Sequence, residues 1–110
     1  MAMWLVRDAE VLAAAESPDG ASGRMRGLIG RRGIEGVMVL APCRNVHTFG
    51  MRFSLDVAFC DQDGVVLRIC TLKPRRISPI VVRAAMALEA EAGAFDRWRL
   101  RVGDRVEVRS

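Results

Sequence analysis

One stretch of the chain, CRNVHTFGMRFSLD at residues 43–56, contains the side chains of a nucleophilic site. Cys43 could attack a substrate, His47, the single histidine of the chain, could take its proton, and Asp56 could orient the imidazole ring. Pro42 and Cys43 end a predicted strand, so the thiol meets the imidazole only if the chain turns back between them. Residue types alone indicate catalysis weakly, and the alternative is a buried thiol at a strand end.

Zinc binding is a second chemistry that the same residue types allow. A set of three thiolates and one imidazole could be supplied by Cys43, His47, Cys60 and Cys70. The spacing of these residues contains no paired CxxC motif, which is the pattern that makes a zinc site a strong prediction. An odd number of cysteines instead favours reduced, mostly buried thiols in a reducing compartment. We therefore predict no metal and no cofactor.

A ligand-binding pocket is a third option, because small-ligand sites combine a few polar groups with many apolar ones. Gly50 allows close approach of a ligand or of another backbone, and arginines could add an anion-facing edge. The candidate ligand-binding residues are Arg24, Arg31, Asn45, His47, Thr48, Arg52 and Asp56. The alternative is a structural network, in which Asp56 accepts hydrogen bonds from backbone N–H groups or from His47 and fixes an irregular segment against a sheet. The sequence leaves both open.

Length and composition restrict the class of protein. A chain of 110 residues is a single domain, residues 1–110, and its hydrophobic fraction of 51% indicates a core rather than disorder. No apolar run approaches the roughly 18 residues of a membrane span. The beginning of the chain lacks the basic and apolar regions of a signal peptide. A cytoplasmic location is the expectation for the chain as given, and export by a removed leader stays open.

Charge gives a weaker indication of partners. The net charge is +4, and all but one of the 17 basic residues are arginine. They are spread along the chain, which contains no tyrosine, whereas nucleic-acid interfaces combine clustered cations with aromatic side chains. We therefore expect no nucleic-acid partner, and the sequence identifies no partner beyond a small anionic ligand as one candidate. Arg24 and Arg31 are seven residues apart, so a continuous helix would place both on one face, either solvated or facing an anion.

Short strands dominate the predicted elements. Residues 56–72 are typical of a hairpin, because two β-rich runs flank a loop that ends in Gly64. Residues 81–93 permit a helix by propensity or a strand by alternation. Further strands are predicted at 3–7, 10–15 and 36–43, and a last one to residue 109 after a turn at Gly103 and Asp104. A short helix is predicted from Ser22 to Ile29 and another helical stretch at 94–100. Because strands and helices do not alternate regularly, the fold class is α+β and mainly β.

Four motifs occur in a distinctive order, namely RMRGLIGR, GVMVLAPCRNVHTFGMRFSLDVAFCDQDGVVLRI, ALEAEAG and VGDRVEV. In this order they resemble the DUF192 family, a domain of unknown function, over residues 20–109. The VHTFGM segment resembles a bacterial branch in which it replaces a Trp-Met-Lys-Asn-Thr segment of other members. Ser54 departs from the family pattern, which usually has proline before the Leu-Asp pair.

The resemblance implies a compact antiparallel β-sandwich or barrel-like domain with one or two short helices. It implies no activity, so no catalytic residue is assigned. The leading hypothesis is a non-catalytic ligand-binding or accessory module with a polar site around His47 and Asp56. The alternatives are a small hydrolase-type enzyme that uses Cys43, His47 and Asp56, and an anion- or nucleic-acid-binding module.

Overall fold

The computed structural model describes residues 2–17 and 33–110. Within these ranges the chain forms seven strands and one short helix, α1. Along the chain, α1 follows the sixth strand and precedes the seventh. The elements are β1 (Met3–Arg7), β2 (Glu10–Glu16), β3 (Val37–Leu40), β4 (Leu55–Cys60), β5 (Val66–Leu72), β6 (Met86–Glu91), α1 (Ala94–Trp98) and β7 (Val106–Arg109). The predicted strands and the helical stretch near residue 94 are confirmed. The helix predicted from Ser22 to Ile29 lies outside the described residues.

Two hairpins join strands that are consecutive along the chain. Arg7 pairs with Glu10 across the turn between β1 and β2. In the turn between β4 and β5, a carboxylate oxygen of Asp61 accepts hydrogen bonds from the N–H groups of Asp63 and Val65, at 2.9 and 3.0 Å. This is the local bonding that favours aspartate in turns. The hairpin prediction is therefore confirmed in position, and Gly64, at the end of its loop, has a positive φ.

Residues 86–91 form a strand, although their alanine-rich composition also permits a helix. β6 lies between β3 and β4 and pairs antiparallel with both. Four successive residues of β6 are buried, Ala87 to Ala90, because both of its faces are covered. Packing on both faces of a central strand outweighs the modest helix preference of alanine, which amounts to tenths of a kcal/mol per residue.

The sheet is curled into a barrel-like shape. Its order is β5-β4-β6-β3-β2-β1-β7, and only the β2–β3 pair is parallel. The two edge strands meet, because the N–H of Val66 donates to the carbonyl of Asp104 at 2.8 Å and that of Val106 donates to Gly64 at 2.9 Å. Gly64 has φ of +83°, and a Cβ there would lie 2.1 Å from the Val106 carbonyl oxygen. Glycine thus permits the close approach of the two edges.

Each face of the sheet has its own hydrophobic cluster. The inner cluster is enclosed by the curled sheet and includes Leu5, Val37, Ala58, Cys60, Val66, Leu88, Phe95 and Val106. The outer cluster includes Met38, Leu40, Val57, Phe59 and Ala87, together with Cys43, Val46 and Met51 from the irregular chain after β3. Val57 and Phe59 thus face the opposite side from Ala58 and Cys60, as strand parity predicts. Irregular chain therefore forms a second layer over the outer face.

Candidate functional site

The irregular layer on the outer face is built from two paired segments, residues 44–49 and residues 75–81. Backbone hydrogen bonds run from Val81 N–H to the Arg44 carbonyl at 2.8 Å and from Ser78 N–H to the Val46 carbonyl at 2.9 Å. An isolated antiparallel bridge joins His47 to Ile77. The candidate residues of the VHTFGM stretch are therefore held by the chain around residue 78, which the sequence presents only as a loop.

Thr48 joins the first paired segment to the chain at residues 73–76, on the buried side of the layer. Its side chain is fully buried. Its hydroxyl donates to the Lys73 carbonyl at 2.6 Å and accepts the N–H of Arg76 at 2.9 Å. Its backbone N–H donates to the Arg76 carbonyl at 2.9 Å. Because both donor and acceptor capacities of the hydroxyl are used, Thr48 positions the surface above it rather than offering a group to a ligand.

His47 and Asn45 lie on the exposed side of the same segments. The Nδ1 atom of His47 accepts the N–H of Phe49 at 3.2 Å, and the two rings are 5.4 Å apart, tilted by 36°. This arrangement leaves Nε2 of His47 as the ring nitrogen that can meet a ligand. Arg52 is also exposed. Three of the candidate residues, Asn45, His47 and Arg52, are thus available at the surface.

Asp56 belongs to a different part of the molecule. It lies on the inner face of β4, is 5% exposed, and accepts the hydroxyl of Thr71 at 2.7 Å. Its other carboxylate oxygen accepts the N–H groups of Gly93 and Phe95, at 2.9 and 3.2 Å. Asp56 therefore accepts backbone N–H groups, as the structural-network alternative has it, but it anchors the beginning of α1 to the sheet rather than an irregular segment. No hydrogen bond joins it to His47 among the described residues.

The triad and the zinc set are not assembled by this fold. Cys43 lies in the outer cluster and Cys60 in the inner one, so the sheet separates them. The Cys43 thiol donates to the Asn45 carbonyl at 3.2 Å, and Asp56 faces the inner side. Within residues 2–17 and 33–110, no three His, Cys, Asp or Glu side chains are grouped so that they could hold a metal ion. Arg24 and Arg31 lie outside these ranges.

Two of the thiols are poor nucleophiles because of where they lie. Burial raises the pKa of Cys60 to about 12, and the charge of Asp61 adds to this effect. The pKa of Cys70 is also raised, first by burial, with the cation of Arg68 opposing the shift. Since the thiolate is the reactive form, both positions fit the expectation of structural thiols.

The paired segments and their flanks concentrate positive charge. Residues 41–55 and 72–88 contain six basic residues and no Asp or Glu, whereas the rest of the chain holds eleven basic and thirteen acidic residues. The six form what we call the basic surface, and all are exposed: Arg44, Arg52, Lys73, Arg75, Arg76 and Arg83. None forms an ion pair with another described residue. The pairing of the two segments thus places three of these cations, Arg44, Arg75 and Arg76, on adjoining stretches of chain, and the other three lie within three residues of a paired segment.

Glu89 is a buried carboxyl group that sequence reasoning did not single out. It lies on the outer face of β6, is 5% exposed, and pairs with Met38 and Val57 on the two neighbouring strands. Burial raises its pKa to about 7, because a charged carboxylate is disfavoured away from water. The alternation of side chains along a strand could have predicted its burial, because Glu89 lies two positions after Ala87 and so on the same face of the strand.

A second polar feature is a groove of about 330 Å³ between the β1–β2 hairpin and the end of α1. Arg7 is one of its lining residues and bonds to Glu10 at 2.9 Å and to Asp104 at 3.1 Å. Arg7 also donates to the backbone carbonyls of Trp98 and Arg99. Its pKa is raised, chiefly by the hydrogen bond to Glu10. Arg7 therefore joins the β1–β2 hairpin to the end of α1, and its hydrogen-bonding groups are used within the protein.

Comparison with known proteins places the chain among uncharacterised relatives. The model of the DUF192 family, described as uncharacterised ACR, matches residues 4–108. A UPF0127 protein of Pyrococcus abyssi (strain GE5 / Orsay) is 36% identical over 62 residues, which are 56% of this chain and 53% of that protein. The chain thus spans about half the length of this curated relative.

Two solved structures share the fold. A protein of unknown function from Novosphingobium aromaticivorans DSM 12444 has a TM-score of 0.78 at 19% identity, covering 96% of this chain and 83% of that one. A protein from Sinorhizobium meliloti 1021, named as a candidate transcription regulator, has a TM-score of 0.77 at 26% identity, covering 97% of this chain and 92% of that one. In the described part of this chain, no helix is long and apolar enough to cross a membrane.

Proposed function

Because this chain belongs to the DUF192 family of uncharacterised proteins, we propose its function from its own surface: it is a non-catalytic accessory module that binds an anionic ligand through the basic surface. The observation that carries the proposal is the separation of charge. Six exposed cations lie in or beside the paired segments, and residues 41–55 and 72–88 contain no carboxylate. Like charges held together raise the local concentration of anions, and arginine favours bidentate contact with phosphate or carboxylate groups.

The candidate residues divide into two roles under this proposal. His47, Asn45 and Arg52 contact the ligand from the exposed side of the VHTFGM stretch. Thr48 acts from beneath, because its hydroxyl fixes the backbone that carries Lys73 and Arg76. The six cations are held on a framework of backbone hydrogen bonds, which is the preorganisation that favours binding.

Asp56 acts at a distance in this proposal, by anchoring α1 and β4 rather than by touching the ligand. Arg24 and Arg31 remain candidates for an anion-facing edge on the sequence argument alone. The hydrolase alternative has no comparable support, since the Cys43 thiol bonds to a backbone carbonyl and the carboxylate of Asp56 faces the other side of the sheet.

Titration with inorganic tripolyphosphate, followed by amide chemical shifts, tests the proposal. We expect the largest shift changes at His47, Arg75 and Arg76. The double variant Arg75→Glu, Arg76→Glu should weaken binding by at least about tenfold, given the strength of phosphate–guanidinium contacts. The matched control is Arg101→Glu with Arg105→Glu, two exposed arginines elsewhere on the molecule, which should bind like the unmodified protein. Equal weakening by both pairs would contradict a specific surface.

Duplex DNA is a second candidate ligand, because the Sinorhizobium meliloti relative is named for transcription regulation. The basic surface is the observation that favours it, since cations that face phosphates supply most of non-specific DNA binding. A DNA titration of the same two double variants, at several salt concentrations, tests this candidate. Loss of binding in the Arg75 and Arg76 variant alone would support it.

A further inference from the structure

Large apolar side chains protrude among the cations of the basic surface. Phe49 is 47% exposed, and three aliphatic residues of the second paired segment and its continuation are more so: Ile77 at 62%, Ile80 at 69% and Val82 at 72%. Exposed side chains of this size need no explanation when they are scattered singly. Here four of them fall within residues 41–55 and 72–88, the two stretches without carboxylates, so their exposure requires an explanation.

The fold brings the stretches of chain that carry these side chains side by side. The bridge between His47 and Ile77 sets those residues opposite each other on the exposed side, and the ring of Phe49 lies against that of His47. The hydrogen bond from Val81 to Arg44 keeps the chain from Ile80 to Val82 beside the first segment. Four exposed apolar side chains, Phe49, Ile77, Ile80 and Val82, thus lie on or directly beside the paired segments that carry cations of the basic surface, and we call them the apolar ridge.

We propose that the anionic partner of the basic surface is the face of a bilayer that contains anionic phospholipids, with the apolar ridge entering the headgroup layer. This inference rests on the function proposed above and specifies its ligand. An anionic membrane face attracts basic residues, each worth about fivefold in affinity when it lies near the surface. Apolar side chains add binding by leaving water for the acyl boundary.

A bilayer fits the composition of the ridge better than a nucleic acid does. Single strands are bound by stacking bases on aromatic rings, and the ridge contains one aromatic side chain and three aliphatic ones. Duplex DNA offers phosphates to the cations but little that would cover exposed isoleucine and valine, since phosphate contacts are polar. The headgroup layer accommodates both components of this surface.

Vesicle sedimentation tests the proposal. The unmodified protein should bind phosphatidylcholine vesicles that contain about a quarter phosphatidylglycerol and should not bind vesicles of phosphatidylcholine alone. Ile80→Ser with Val82→Ser should weaken binding by about tenfold through lost apolar burial. Arg75→Glu with Arg76→Glu should weaken it by at least about 25-fold, from about fivefold for each cation.

Matched controls come from the same classes of side chain at other places. Val11→Ser with Val102→Ser removes two apolar side chains that are 58% and 62% exposed, and Arg101→Glu with Arg105→Glu reverses two exposed cations. Both control pairs should bind the anionic vesicles as the unmodified protein does. Because all the altered side chains are exposed, far-ultraviolet circular dichroism should show every variant folded.

The outcomes separate the two proposals. If anionic vesicles are not bound while tripolyphosphate still shifts the amides of the basic surface, the membrane inference is wrong and the anion-binding function stands. If neither probe is bound, both are wrong. If the Ile80 and Val82 variant keeps full vesicle affinity, or if duplex DNA displaces the vesicles at equal phosphate concentration, insertion of the ridge is contradicted.

Discussion

Asp56 and Glu89 are two carboxyl groups on neighbouring central strands, each only 5% exposed, but on opposite faces of one sheet. Asp56, on the inner face, receives three hydrogen bonds, one from a hydroxyl and two from backbone N–H groups. Glu89, on the outer face, has a pKa raised to about 7, with burial as its cause. Equal burial therefore has opposite consequences. The Asp56 carboxylate holds a hydroxyl and two backbone N–H groups in place, whereas the Glu89 side chain destabilises the folded protein when it is charged.

Removing the Asp56 side chain should give the largest effect. Asp56→Ala leaves the N–H groups of Gly93 and Phe95 without their acceptor, so we expect a loss of about 3–4 kcal/mol in the free energy of unfolding. Asp56→Asn retains one acceptor oxygen and should lose about 1–2 kcal/mol. Urea denaturation measures both. Asp63→Ala, at an exposed position of the adjacent turn, is the control and should stay within about 0.5 kcal/mol.

Neutralising Glu89 should stabilise the protein at alkaline pH. Its pKa rises on folding from 4.5 to about 7, so the folded state binds the proton more tightly than the unfolded state. The contribution to stability is therefore fully present below about pH 4.5 and is lost as the pH rises through about 7, amounting to about 3 kcal/mol. Glu89→Gln should remove this loss and be more stable than the unmodified protein by about 2–3 kcal/mol at pH 8.

Urea denaturation between about pH 5 and about pH 8 checks whether the free energy of unfolding falls as the pH rises. Glu91→Gln is the matched control, because Glu91 is an exposed glutamate two residues further along the same strand. This control should keep the pH dependence of the unmodified protein. A Glu89→Gln variant whose stability still falls over the same range would show that another group is responsible.

Two threonines sharpen the comparison between the faces. Thr48, over the outer face, is fully buried with both hydrogen-bonding capacities of its hydroxyl used. Thr71, on an exposed strand position, donates to Asp56. Thr48→Val leaves two backbone groups unpaired and should lose about 2 kcal/mol, whereas Thr71→Val should lose about 1 kcal/mol. Equal losses in denaturation experiments would contradict the difference in burial on which this expectation depends.

Thiol labelling should give the smallest effect, a difference in rate without a change in stability. Cys60 is fully buried in the inner cluster with a pKa raised to about 12, while Cys70 is half-buried against the outer cluster. Under native conditions a thiol reagent should modify Cys70 before Cys60, since access and thiolate fraction both favour it. Cys70→Ser should remove the faster reaction, and Cys60→Ala should leave it unchanged.

Local sequence patterns predicted correctly those strands that pair with a neighbour in the chain. The hairpin between β4 and β5 followed from Asp61 and Gly64, and the alternation of Val57 with Ala58 placed their side chains on opposite faces correctly. The resemblance to DUF192 is confirmed by the family match over residues 4–108. Residues 81–93 stayed ambiguous, because helix propensity and strand alternation are of similar strength in an alanine-rich segment.

The candidate site was predictable only in part. The sequence identified His47, Thr48 and Asp56 as unusual polar residues in an apolar stretch, but it placed His47 and Asp56 in one polar site. The structure puts His47 on the outer, exposed side and Asp56 on the inner face, because the irregular layer covers one side of β4 while α1 meets the other. The hydrogen bond of Thr48 to Lys73 spans 25 positions of the chain, and that of Asp56 to Gly93 spans 37. Contacts this distant along the chain leave no pattern in the neighbouring sequence.

The sequence by itself determined the family, the mainly β class and the absence of carboxylates from residues 41–55 and 72–88. These properties reside in residue types and short-range spacing, which the chain carries whether or not it is folded. The tertiary structure decided that residues 44–49 and 75–81 pair, and so set exposed cations and exposed apolar side chains on adjoining stretches of chain. It also decided which buried carboxyl group has partners, because only the folded sheet fixes what faces each side chain.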